Sequence, residues 1–152
     1  MFALQQRSGN VSAALASGPL IHGPLARGLA AAAGAGALVS GVEIYFEHDK
    51  ASFGNRWMWA PIALAPVAAA AGAAGAVNER AAHTVLPALS ALVIANGLQG
   101  TYLHARGVGQ KPGGWRNARY NLEMGPPLLA PLLLTMVGAA GLLGAVLRRS
   151  RG

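Results

Sequence analysis

The chain has 152 residues, of which 53% are hydrophobic, 11% are charged and 21 are glycine, and its formal net charge is +7. Soluble domains typically carry about 25% charged residues, and a chain this short exposes much of its surface. The composition therefore indicates lipid rather than water as the surrounding solvent, and its apolar content excludes intrinsic disorder. The absence of cysteine excludes disulfides, thiolate metal sites and thiol catalysis.

Four apolar runs follow one another along the chain, each close to the ~20 residues that a helix needs to cross a bilayer. They cover residues 28–46, 57–77, 81–102 and 126–147. Each run is apolar on all sides, with no polar stripe at helical spacing. We therefore predict an all-α integral membrane protein whose membrane domain, residues 28–147, contains four transmembrane helices.

Two short tails flank this domain. Residues 1–27 contain no acid and are too polar and too interrupted by glycine and proline for a signal peptide, so we predict an N-terminal tail that is not translocated. Residues 148–152 form a basic C-terminal tail.

The two halves of the chain resemble each other. Residues 40–43 read Ser-Gly-Val-Glu and precede His48, while residues 96–99 read Asn-Gly-Leu-Gln and precede His104 at the same spacing. The proline-flanked segments 61–66 and 126–131 also match, after a longer second connection. We interpret the chain as two pseudo-repeated helical hairpins that pack as a four-helix bundle.

Aromatic and acidic residues gather at the end of this bundle opposite the termini. Eight of the nine aromatic residues are predicted there: Tyr45, Phe46, Phe53, Trp57, Trp59, Tyr102, Trp115 and Tyr120. So are four of the five acids: Glu43, Glu47, Asp49 and Glu123. Because aromatic residues normally line both membrane interfaces, a one-sided distribution favours a docking or ligand surface.

Arginine and tryptophan recur within this end. Asn-Arg-Trp at 55–57 is mirrored by Trp-Arg-Asn at 115–117. Such side chains are typical anchors of protein interfaces, although they also bind lipid headgroups, and both interpretations stay open. The predicted interface residues are Arg56, Trp57, Trp59, Trp115, Arg116 and Tyr120.

Glu43 is predicted about one turn inside the end of the first span, where an ionised carboxylate is costly. Glu47 shares its helix face, and Gln99 takes the place of Glu43 in the second half, with Asn96 one turn earlier. This polar cluster could hold a cation or relay a proton in a small transporter or ion-conducting protein. Alternatively, Glu43 pairs with an arginine or is protonated and hydrogen-bonded to Asn96 or Gln99.

His48 and His104 are predicted at matched depths on the first and third spans, as ligation of a b-type haem by two imidazoles requires. A metal ion bound by both histidines and Glu47 is an alternative. Both histidines also lie beyond the apolar runs among charged neighbours, where an interfacial histidine with a solvated tip is the simpler interpretation. Haem b and quinone are therefore candidate cofactors.

No Walker loop, GxSxG elbow, HExxH or dinucleotide fingerprint is found, so no catalytic residue is predicted. Nucleic acid is not an expected partner, because the basic residues are divided between two membrane sides. We expect a small non-catalytic accessory subunit of a bacterial redox or electron-transfer complex that contacts lipid and docks membrane or periplasmic subunits. The alternatives are the transporter and a haem- or quinone-binding protein.

The predicted location is the bacterial cytoplasmic (inner) membrane, crossed several times. Lysine and arginine are shared equally between the two sides, so their number does not decide the orientation. The compact basic cluster at residues 148–151 leads us to place both termini in the cytoplasm.

Overall fold

The computed structural model of the protein describes residues 19–149, with side chains from Gly23 onward. These residues form six α-helices and no strand. The helices are α1 (Pro19–Lys50), α2 (Trp59–Val77), α3 (Glu79–His83), α4 (Val85–Gln110), α5 (Ala118–Glu123) and α6 (Leu129–Arg149). Two 3₁₀ helices, Arg56–Met58 and Gly114–Asn117, precede α2 and α5.

Four long helices build the bundle. Helix α1 packs against α2 and α6, and α4 packs against the same two helices, so α1 and α4 are diagonally opposed. Long helices that are consecutive in the chain run antiparallel to each other. One layer of the core takes a buried residue from each long helix: Ala37, Ala68, Val93 and Leu134.

Three helical segments are long and apolar enough to cross a membrane, which confirms the prediction of an all-helical membrane protein. They are Gly23–Lys50, Arg56–Val77 and Leu129–Arg149. Helix α4 is equally long but does not meet this criterion, because residues such as Ser90, Asn96 and Gln99 lower its hydropathy. Four spans and the internal repeat therefore stay predictions.

Small residues allow the helices to approach closely. A Cβ on Gly72 of α2 would lie 2.5 Å from the Cα of Gly34 on α1, so these backbones touch. Such contacts replace the hydrophobic driving force that is missing between helices in lipid. A cavity of about 10 Å³ between the described helices, lined by alanine, leucine and valine with Ser90, has room for about one water molecule.

The first helix begins earlier than predicted. Helix α1 starts at Pro19 and contains Pro24, so the predicted tail at residues 1–27 is helical in its last part. The remainder of both predicted tails, residues 1–18 and 150–152, lies outside the described residues.

The third predicted span, residues 81–102, is interrupted at Thr84, whose φ of −121° and ψ of −75° separate α3 from α4. The cause is Pro87, which has no N–H to donate to the carbonyl of His83. Arg149 Nη2 donates to this carbonyl instead, at 2.8 Å. Helix α4 then continues to Gln110, beyond the predicted end of the span.

Candidate functional site

We call the aromatic pole the end of the bundle formed by residues 43–50 of α1, residues 102–110 of α4 and the connections 51–58 and 111–128. In the first connection, the Phe53 ring stacks on Trp59 with 4.1 Å between centroids and contacts Tyr45 at 5.7 Å. Ser52 and Phe53 adopt positive φ angles of 52° and 47°, which are unfavourable for non-glycine residues. The ring stack and the hydrogen bond from Phe53 N to His48 O (3.0 Å) hold this tight turn.

The second connection is built around one buried amide. The Asn121 side chain is 1% exposed, and its Nδ2 donates to the carbonyls of Pro112 (3.1 Å) and Gly114 (2.8 Å). Gly113 and Gly114 make the preceding turn with φ angles of 79° and 48°, which glycine adopts without a Cβ clash. Residues 111–128 therefore have a defined conformation although most of them are polar or surface-exposed.

The six predicted interface residues all have exposed side chains at the aromatic pole. The rings are between 48% and 57% exposed, in Trp57, Trp59, Trp115 and Tyr120. Arg56 and Arg116 are exposed as well, and the Arg56 guanidinium lies 5.6 Å from the centroid of the Trp57 ring, a cation–π contact. The structure thus exposes these rings and guanidinium groups at the same end of the bundle.

His48 and His104 make equivalent hydrogen bonds. Nδ1 of His48 lies 3.0 Å from the carbonyl oxygen of Met58, and Nδ1 of His104 lies 2.8 Å from that of Pro127. Each carbonyl lies just before the next long helix, α2 or α6. Because a carbonyl only accepts, Nδ1 is the donor in both rings, and in a neutral ring Nε2 keeps the lone pair.

Within residues 23–149, whose side chains the structure describes, no three histidine, aspartate or glutamate side chains come together to hold a metal ion. Glu47 instead forms an exposed ion pair with Lys50. The predicted three-ligand set of His48, His104 and Glu47 is therefore not assembled, whereas a haem held by two histidines would not need Glu47.

Glu43 lies on the outer surface of α1, with an exposed side chain. Asn96 and Gln99 are half-buried on α4, diagonally opposite. No hydrogen bond or ion pair between described residues joins Glu43 to either amide or to an arginine. The structure does not bring the predicted polar cluster together, and an ion path along Glu43 would run on the lipid-facing side of the bundle.

The opposite end of the bundle holds a buried cation that we did not predict. Arg148 is 3% exposed, and its Nε lies 3.1 Å from Oε2 of Glu79. A sequence signal for its burial exists: Leu134, Gly138, Gly141 and Ala145 are buried on α6, and the same helical spacing reaches Arg148. From the sequence, Arg148 is placed in the basic C-terminal tail instead.

The chain matches no known protein family, no curated protein and no solved structure. The two ends of the bundle are therefore the basis for the functional proposals.

Proposed function

We propose that this protein is a small non-catalytic subunit of a bacterial multi-subunit membrane complex, and that its aromatic pole docks another membrane or periplasmic subunit. The observation that carries the proposal is the ordered connection at residues 111–128, in which the Asn121 amide is buried while Trp115 and Tyr120 stay exposed. Aromatic side chains held in place before binding lose little conformational entropy when they dock.

The charge of the aromatic pole indicates the chemistry of the partner. Its four acids are outnumbered by six basic residues: Lys50, Arg56, Arg106, Lys111, Arg116 and Arg119. A partner surface with net negative charge and apolar pockets complements this combination of rings and cations.

The proposal includes four membrane spans, with α4 as the third, both termini in the cytoplasm and the aromatic pole on the periplasmic side. The position of α4 in the ring, equivalent to that of α1, supports four spans. The matched hydrogen bonds of His48 and His104 support two related hairpins.

A photo-crosslinking amino acid at Tyr120 tests the docking surface, with the same group at Val77 as the matched control. Val77 is 82% exposed at the opposite end of the bundle. We expect one stoichiometric companion chain to be linked from Tyr120 and not from Val77. Replacing Arg56 and Arg116 by glutamate should reduce this link.

Three results would contradict the docking proposal. The chain could purify in mild detergent without a stoichiometric companion. Tyr120 could link to lipid alone, which would favour headgroup anchoring. Both positions could link equally to the same chains, which would indicate non-specific contact.

A second candidate function, binding of haem b or a quinone, is favoured by the orientation of the histidine pair. The carbonyls of Met58 and Pro127 hold Nδ1 of His48 and His104. In a neutral ring such a bond leaves the Nε2 lone pair for a haem iron or a quinol hydroxyl, and in a protonated ring Nε2–H would donate to a quinone carbonyl. This interpretation connects the subunit with electron transfer.

The absorption spectrum of the purified protein tests the haem. A Soret band should vanish in His48→Ala and in His104→Ala and persist in His22→Ala. A colourless protein from which no quinone can be extracted would contradict this candidate function.

A further inference from the structure

The terminal pole, which we define as α3 and the last turns of α2 and α6, contains buried side-chain nitrogen atoms that have no hydrogen-bond partner among the described residues. Nη1 and Nη2 of Arg148 are two of them. Nε2 of His83 is also buried and unpartnered there. Glu79 and His83 lie four residues apart, on one side of α3.

Among the described residues, Glu79 is the one acidic side chain at the terminal pole, because the other four acidic side chains belong to the aromatic pole. The Glu79 side chain is itself 62% exposed and approaches only Nε of Arg148, without the alignment of a hydrogen bond. Burying charged donors without an acceptor is unfavourable, so an acceptor from outside the chain would stabilise the site.

We propose that Arg148, together with His83, binds the phosphate group of an anionic phospholipid in the leaflet at the terminal pole. The guanidinium presents a planar fork of donors that matches two phosphate oxygens. The depth is suitable, because the membrane-spanning candidates Arg56–Val77 and Leu129–Arg149 both end at this pole. Basic pockets between membrane helices at such a surface favour anionic headgroups.

Charge around the Arg148 guanidinium also favours an anion. Arg27, Arg80 and Arg149 are exposed at the same end of the bundle. Glu79 competes with the phosphate for the guanidinium, so it limits the affinity while it holds Nε in place. We therefore expect loss of the Arg148 guanidinium to weaken phospholipid binding and loss of the Glu79 carboxylate to strengthen it.

Thermal unfolding of the full-length protein in detergent, with added phosphatidylglycerol, phosphatidylcholine or inorganic phosphate, tests the proposal. Phosphatidylglycerol should raise the Tm of the wild type more than the same concentration of the other two. Arg148→Gln should weaken this binding roughly tenfold or more, the effect of losing a charge-assisted hydrogen bond. Arg80→Gln, which removes an exposed charge from the same pole, should change it much less.

Glu79→Gln provides a readout that does not depend on whether Arg148→Gln folds. Tighter binding of phosphatidylglycerol in this variant supports a site in which the acid competes. Unchanged or weaker binding overturns the proposal and leaves Arg148 as the partner of Glu79 alone. An equal effect of phosphatidylcholine, or of inorganic phosphate, overturns the assignment to an anionic lipid, as does full binding by a folded Arg148→Gln.

Discussion

Arg148 and Arg149 are adjacent in the sequence but have opposite surroundings. Arg148 points into the bundle near Glu79, whereas Arg149 is exposed and donates to the carbonyl of His83. The helical turn of about 100° per residue separates them. A count of basic residues treats both alike, so only the contacts of each side chain give them different roles.

Asn121→Ala tests the buried amide at the scale of a single residue. The carbonyls of Pro112 and Gly114 would lose their donor, which costs about 1–3 kcal/mol when such groups stay buried. We expect faster limited proteolysis between residues 111 and 128, with little change in the Tm of the bundle. Asn117→Ala, at an exposed position nearby, is the control; equal cleavage of the two variants would show that the amide does not order the connection.

At the scale of the elements, helix pairs are held by small residues and by side chains that replace missing backbone bonds. The contact between α1 and α2 depends on Gly34 and Gly72. The break between α3 and α4 depends on Pro87, which leaves a carbonyl for Arg149. The close contact is possible because glycine lacks a Cβ, and the helix break arises because proline lacks an N–H.

Gly72→Ala should destabilise the hairpin of α1 and α2. The added Cβ would lie 2.5 Å from the Cα of Gly34, and because that neighbour is backbone, the helices must separate, at a cost of about 1–3 kcal/mol. Gly28→Ala is the matched control, since its Cβ meets nothing within 4 Å. Denaturant unfolding in detergent measures the free energy of unfolding of both variants. Equal values for Gly72→Ala and Gly28→Ala would argue against close packing at Gly72.

The role of Arg149 can be tested with a double-mutant cycle. Arg149→Ala should cost up to about 1 kcal/mol, because the carbonyl of His83 loses its donor. In a Pro87→Ala background the alanine N–H can serve that carbonyl, so the second substitution should cost less. Unfolding free energies of the four proteins measure the coupling; independent effects would mean that Arg149 does not compensate for the proline.

At the scale of the whole molecule, the ring of four long helices places two polar connections at one end and the short helix α3 at the other. If α4 spans the membrane, the connections at residues 51–58 and 111–128 face the same side, and α3 faces the other. This arrangement separates the proposed protein-docking surface from the proposed phospholipid site.

Cysteine labelling tests the number of spans, and the absence of native cysteine makes single-cysteine variants unambiguous. In intact cells whose outer membrane has been permeabilised, a membrane-impermeant maleimide should label Ser52→Cys and Arg116→Cys but not Arg80→Cys. The same result for Arg80→Cys and Arg116→Cys, whether both are labelled or neither is, would mean that α4 does not cross. The reverse pattern, with Arg80→Cys alone labelled, would keep four spans and invert the orientation.

Composition and hydropathy by themselves determined that the protein is helical and suited to lipid, because these properties are sums over a segment and need no knowledge of its neighbours. They also placed the aromatic residues at one end. The spacing of His48 and His104 identified the pair, but the orienting carbonyls come from other elements and could not be predicted.

Only the tertiary structure decided that Glu43 faces outward, that Asn121 orders a connection and that Arg148 is buried. Each outcome depends on which helix packs beside the residue, and an apolar helix with no polar stripe does not reveal its inner face. In lipid that face is selected by the fit of small side chains between helices, which requires both partners in place.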